Sequence, residues 1–410
     1  MFELLKYSLI LVWCFLSPPM WAQQYDLLIK GGTVVDPKNN IFEPLDVAIL
    51  EGKIQEVSSQ IDPQTARQVL DARGLLVSPG LIDVHTHVFV GGREGIFAGG
   101  FYSVSPDDFS FRTGITTMVD AGTSGWRSFP EFKTKVIDAS QTRILAFLNI
   151  AGAGMIGKPG EEELSDMEIE ATLNIIKQYP QTIVGAKIGH YTGESWEPFD
   201  KALDVARQAK KPLFLECHLP QLPLDQLLDK MRPGDIFTHT YGAVDDRLWL
   251  LDANGQVLPS VQDAREKGIY FDVGHGGGSF HFKLAQPAVQ QNFYPHSMGT
   301  DLHRFSMNAG MKNMLNIMSK FLNMGMDLPA VIEAATWNPA RMILREDLGH
   351  LSIGAEADVA LIRVRSGEFG FVDAGGYKLT GDKLLQSELT IKGGKIMWDL
   401  NGLAAKPFKN

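Results

Sequence analysis

Cysteine is nearly absent from this chain of 410 residues: there are two, Cys14 and Cys217. Cys14 lies in the N-terminal segment MFELLKYSLILVWCFLSPPMWAQQ. That segment has Lys6, an apolar stretch from Tyr7 to Leu16, and small or turn-forming residues up to Ala22, the pattern of a signal peptide over residues 1–22. Its removal leaves Cys217 alone, which excludes a disulfide within the mature chain, so stability must come from packing. The apolar stretch is also too short to cross a bilayer comfortably, so no stable membrane span is expected after cleavage, with an uncleaved anchor as the alternative. Excess positive charge is missing too. The net charge of −10 argues against nucleic acid or an anionic membrane as the main partner and leaves a small-molecule partner open. Export to a bacterial periplasm is expected. Self-association into a homo-oligomer is left open.

What is present has two rhythms. Near the start, YDLLIKGGTVVDP resembles SELTIKGGKIMWD near the end. Both alternate apolar and polar residues and both read as hairpins with a Gly-Gly turn. Residues 23–75 and 350–405 are therefore expected to form one small β-sandwich domain built from both termini. Between them, over 76–349, short apolar stretches alternate with helical ones. The stretches are GLIDVHTH, ITTMVDAG, RILAFLNIAG, TIVGAKIGH, LFLECHL, DIFTHTYG, IYFDVGHG and HSMGTDLH, and FDKALDVARQAKK is one of the helical candidates between them. Eight βα units imply an α/β fold, a (β/α)8 TIM-type barrel, whose functional groups gather at the C-terminal ends of the strands.

The strand ends carry the chemistry. Strand one ends in His85 and His87, which share a face because alternate strand residues point the same way. Strand four ends in Lys187, strand five in His218, strand six in His239 and strand eight in Asp301. Imidazoles and a carboxylate converging on one barrel mouth suit divalent ions, zinc first among them. Each residue also has a plain structural reading. The His pair could be satisfied polar side chains, Lys187 a solvated lysine, and Asp301 a helix cap. An ammonium would repel a metal, so Lys187 fits such a site only if modified to an anion. Cys217 is expected to face away from His218, into packing, and the methionines of MNAGMKNMLNIMSKFLNMGM to fill the core.

The combination resembles the amidohydrolase superfamily. HVFVGG, GITTMVDAGTSG, MRPGDIFTHTY, FDVGHGGGSF, GTDLHRFSMN and ATWNPARM are similar to its dihydroorotase-like amidohydrolase/deacetylase branch. The resemblance implies two divalent metal ions. His85, His87 and Asp301 would hold the more buried ion and His218 and His239 the second, with carboxylated Lys187 as the bridging ligand. It also implies a hydroxide held between the metals as nucleophile and Asp301 as the catalytic proton shuttle. The loop GHGGGSF, rich in Gly, lines the substrate site in that family, so His275 and Gly276 are read as substrate contacts, with a plain turn as the alternative for His275. One departure stands out. Members commonly place an Arg two residues after the bridging Lys to grip a carboxylate, whereas here KIGHYTG has Gly189, followed by His190 and Tyr191 as candidate substrate contacts.

The resemblance therefore implies a metal-dependent hydrolase that removes an acyl group from a small acylated substrate through a C–N or ester bond. Ring opening of a cyclic amide, as in dihydroorotases and hydantoinases, is the alternative. A non-catalytic binding protein on the same scaffold would be expected to lose ligands that this chain keeps.

Overall fold

The apolar stretches form a curled parallel sheet in the computed structural model, which describes residues 24–90, 102–216, 221–242 and 250–408. Seven strands lie side by side in sequence order, each parallel to the next: β1 (Leu81–Thr86), β2 (Ile115–Gly125), β3 (Arg143–Asn149), β4 (Ile183–Ile188), β5 (Leu213–Glu216), β6 (Ile236–Thr238) and β7 (Tyr270–Phe271). Every residue of β1 and β2 is buried, as expected for parallel strands covered on both faces. Inward-facing Ile82, Val119, Leu145, Val184, Phe214 and Ile236 pack together inside the curl, and Ala340 and Met342 join them from the Trp337–Met342 helix. The helix foreseen at FDKALDVARQAKK runs from Glu197 to Ala209 and stops at Lys210, whose φ is 54°.

The eighth stretch closes the curl through two single bridges, not as a continuous strand. Ser297 bridges Asp272 beyond β7, and Leu302 bridges Thr86 of β1, both in parallel. The His87 N–H donates to Leu302 O at 2.8 Å and the Val273 N–H to Ser297 O at 3.0 Å. The left-handed Asp301 (φ 52°) interrupts the extended backbone between these contacts. That interruption aims the Asp301 side chain into the mouth.

The remaining eight strands come from both ends of the described chain, and their hydrogen bonds run as one sheet, where the sequence had suggested a small sandwich. Leu76–Pro79 sits between Tyr25–Asp36 and Val359–Val372 and so joins the N-terminal and C-terminal strands. The two Gly-Gly motifs behave differently. Gly393 and Gly394 form the expected hairpin turn, but Tyr25–Asp36 is one strand with a bulge at Gly31. The bulge is held from the neighbouring strand: Asp46 accepts from the Gly31 N–H at 2.8 Å and from Lys30 Nζ at 2.7 Å.

His296 supports the closure. Its ring accepts from the Phe271 N–H at 2.9 Å and its own N–H donates to Phe271 O at 2.7 Å. Burial, helped by Arg265 and Arg341, pushes its pKa down to about 3 from 6.5. The native state thus prefers neutral His296. The stability this gives is present above the unfolded pKa and is lost as pH falls from about 6.5 towards 3. The shift corresponds to about 5 kcal/mol at full loss. Urea unfolding of wild type and His296→Gln across this range tests it: the wild-type advantage should shrink on acidification, and a gap independent of pH would contradict the assignment.

Candidate metal centre

Three imidazoles meet at the barrel mouth, and each has its Nδ1 tied up from behind. His85 Nδ1 lies 2.9 Å from Thr238 Oγ1 and 3.3 Å from Asp272 Oδ2. His87 Nδ1 lies 3.0 Å from Thr123 Oγ1, and His239 Nδ1 donates to Gly274 O at 2.6 Å. Each Nε2 is thereby directed inward. This is how metal-binding imidazoles are held, with the outer nitrogen fixing the tautomer and ring plane. The register of β1 on β2 slips by one between Asp83 and Thr86, just where the pair begins, and bulges of this kind re-aim side chains.

Asp301 is the common neighbour. Its Oδ1 lies 3.0 Å from His87 Nε2 and 3.5 Å from His85 Nε2. His85, His239 and Asp301 offer ligand atoms that all lie within 4.8 Å of one another. His85 Nε2 is fully buried and has no hydrogen-bond partner. An orphaned buried nitrogen is costly unless something occupies the space before it, and a divalent cation fits this donor set. Burial works to raise the Asp301 pKa, but His85, His303 and His87 outweigh it and hold the carboxyl well below its ordinary value. Burial dominates at His85, whose pKa falls to about 4, so it stands neutral and able to ligate at neutral pH.

The other half of the mouth is built around Glu216 at the end of β5. Lys187 at the end of β4 is fully buried, and its Nζ lies 2.8 Å from Glu216 Oε2. Glu216 Oε1 lies 3.1 Å from His239 Nε2 and 3.0 Å from His190 Nε2. His190 is left-handed (φ 59°), and its Nδ1 lies 3.4 Å from Glu161. Burial alone would lower its pKa, but Glu216 and Glu161 raise it to about 10. A cavity of about 190 Å³ opens over this floor, lined by His87, His190, Glu216, His239, Asp301 and His303 among others.

The sequence-based candidates fall into groups. His85, His87, His239, Lys187 and Asp301 come together. His218 and Cys217 lie outside the described residues. His190 reaches the cavity, whereas Tyr191 is buried in the main core and is not part of its wall. Gly276 sits against the carboxylate of the closing segment: a Cβ there would lie 2.4 Å from Asp301 Oδ2. His275, read as a substrate contact, is fully buried and faces away from the cavity, whose wall is made instead by Gly277, Gly278 and Ser279. Its ring stacks on Phe280, and its Nε2 accepts from Lys320 Nζ at 2.7 Å.

Two residues of the site were missed. His303, which no strand-end pattern singles out, lines the cavity with its Nε2 3.8 Å from Asp301. Glu216 was read as part of an apolar strand. The available signal was its parity in the sequence, two residues before His218, the spacing at which an alternating stretch repeats a face.

Lys320 was also missed. It is buried and donates to Gly310 O at 2.7 Å and Val372 O at 2.9 Å besides His275. Lys320→Leu should cost about 3 kcal/mol by stranding these acceptors, read as a lower urea midpoint at unchanged slope. An unchanged midpoint would contradict this role.

Among the described residues no helix is long and apolar enough to cross a membrane. The family model described as the amidohydrolase family matches residues 281–380. A deacetylase of Agrobacterium fabrum, Atu3266, is 31% identical over 333 residues, covering 80% of this chain and 80% of that protein. A deacetylase of Enterococcus faecalis is 29% identical and covers 91% of this chain and 99% of its own length. In three dimensions the chain is similar to a crystal structure of an adenine deaminase, with a TM-score of 0.82 at 29% identity over 92% of this chain and 100% of that one. It is also similar to a crystal structure of a dihydroorotase, with a TM-score of 0.80 at 28% identity over 90% of this chain and 98% of that one. With the inward-turned imidazoles on a parallel barrel and a relative of this identity over four-fifths of its length, the chain belongs to the amidohydrolase superfamily.

Proposed function

We propose that this protein is a metal-dependent hydrolase that deacylates a small N-acyl or O-acyl compound. The observation that carries the reading is the convergence of three imidazole Nε2 atoms and the Asp301 carboxylate, with His85 Nε2 buried and without a hydrogen-bond partner. His85, His87 and Asp301 would hold one ion. His239 would hold a second, joined on sequence grounds by His218, with the carboxylated form of Lys187 as the bridge. Zinc is the ion proposed. Bound divalent ions acidify water and polarise a carbonyl.

The chain's own residues do the rest. Asp301 takes the proton of the attacking water and delivers it to the leaving nitrogen or oxygen as the carbonyl carbon–heteroatom bond breaks. Thr238, Asp272, Thr123 and Gly274 O keep the imidazoles in one tautomer. His190 and His303 border the cavity, and His303 is placed to donate to a polar substrate. Gly189 provides no guanidinium at the position where a carboxylate-gripping Arg was considered, so the proposed substrate need not be an α-carboxylate. The similarity to deacetylase-named relatives supports acyl removal, and the likeness to a dihydroorotase structure favours cyclic-amide opening as the second reading. Export to the periplasm after removal of residues 1–22 is proposed from the sequence alone.

A screen of the metal-loaded protein against N-acetyl and O-acetyl compounds, lactams and hydantoins separates the readings. Fast turnover confined to acylated compounds is expected. Turnover confined to the cyclic compounds would replace the first reading by the second.

A further inference from the structure

We propose that Glu216 is a ligand of the second metal ion, supplied by strand five itself. The inference rests on the metal-hydrolase reading above and adds a residue to its metal centre. Neighbouring ligand atoms around one ion, with bonds of about 2.0–2.2 Å at tetrahedral or octahedral angles, sit about 3.0–3.5 Å apart. Glu216 Oε1 lies 3.1 Å from His239 Nε2, the nitrogen left to ligate once Nδ1 is committed to Gly274 O. The same spacing relates Asp301 Oδ1 to His87 and His85. The two halves of the mouth are thus built alike: a carboxylate oxygen faces imidazole Nε2 atoms at ligand-to-ligand distance.

The surroundings are shaped for this carboxylate. Glu216 is buried, with a relative exposure of 3%; its Oε1 faces His190 and His239, and its Oε2 faces Lys187 Nζ at 2.8 Å without a hydrogen bond between them. Gly189 makes the room. A Cβ at 189 would lie 2.5 Å from Glu216 Oε2, so any larger residue there would displace the carboxylate. The missing Arg and the unexpected Glu are therefore one feature: this chain gives up a side chain at 189 and gains an anion on the neighbouring strand.

Charge points the same way. With Lys187 as an ammonium, its 2.8 Å contact with Glu216 is attractive. Carboxylation requires the ammonium first to give up a proton; the neutral amine then forms an N–C bond to CO₂ with loss of a second proton, which turns the pair into two anions in a buried site. A divalent cation shared between them is what offsets the repulsion.

The test uses the full chain loaded with Co²⁺ or Zn²⁺, with bound metal counted by mass spectrometry and the Co²⁺ visible spectrum as a readout independent of turnover. Wild type should carry a pair of ions. Glu216→Gln, nearly isosteric, should lose about half the bound metal and change the Co²⁺ band. Glu216→Gln with wild-type metal content and spectrum would overturn the proposal while leaving the hydrolase reading intact. If that variant does not fold, Gly189→Ala serves, since it keeps the charge and displaces the carboxylate. A perturbed Co²⁺ spectrum supports ligation and an unperturbed one overturns it. Wild type that takes up no metal would instead sink the hydrolase reading itself.

Discussion

Asp301→Asn should fold like wild type and lose turnover by about 10²–10⁴-fold, the range that a positioned proton carrier contributes. The side chain is held in place by its backbone as much as by its partners. Asp301 is left-handed (φ 52°) between the two bridges that close the barrel, and Gly276 leaves room for Oδ2 where a methyl would clash. Against burial, His85, His303 and His87 keep its carboxyl ionised, so it enters the reaction able to accept a proton. The amide of Asn keeps the shape and one ligating oxygen but cannot carry the proton onward. Steady-state kcat, beside a thermal melt and a metal count, isolates that loss. A kcat near wild type with metal retained would refute the assigned proton transfer.

Asp272→Ala should be the most damaging change away from the cavity, costing about 3–5 kcal/mol of stability and weakening metal binding by about 10–100-fold. Asp272 is fully buried and accepts from Ser297 Oγ at 2.5 Å, Thr238 Oγ1 at 2.6 Å and the Gly299 N–H at 2.9 Å, with His85 Nδ1 at 3.3 Å. Burial would raise its pKa, but these donors, with His85 foremost, bring it below the ordinary carboxylate value. The stability it gives is therefore present above its unfolded pKa and lost as pH falls below it. One carboxylate ties β6 to the closing segment and fixes the His85 tautomer, so stability and metal affinity should fall together. Denaturant unfolding of the metal-free protein and a competitive metal titration measure the two separately. A variant that loses stability but binds metal as wild type would remove Asp272 from the metal centre.

The barrel and much of the candidate site could be read in the sequence because period-two alternation and strand-end position are local properties. His85, His87, His239, Lys187 and Asp301 all follow from an apolar stretch that ends in a polar side chain. The rest depends on what lies across the barrel. Glu216 looks like an interruption in LFLECHL until Lys187, His190 and His239 are seen around it. His275 looks like a substrate contact in a glycine loop, but Lys320, some 45 residues later in the chain, draws its ring away from the cavity. The first Gly-Gly motif reads as a turn, yet Asp46 on the next strand holds it as a bulge. In each case the deciding partner is distant in sequence, and no local pattern announces it.

On the proposed function, this barrel mouth is a metal centre that performs hydrolysis. Its most direct test is a metal count on the purified chain before and after chelation, paired with turnover of an N-acetyl compound. A pair of divalent ions per chain is expected, with loss of turnover when they are stripped and recovery of both on re-addition of zinc with bicarbonate. A chain that binds no divalent ion, or one that hydrolyses its substrate equally well after complete stripping, would contradict it.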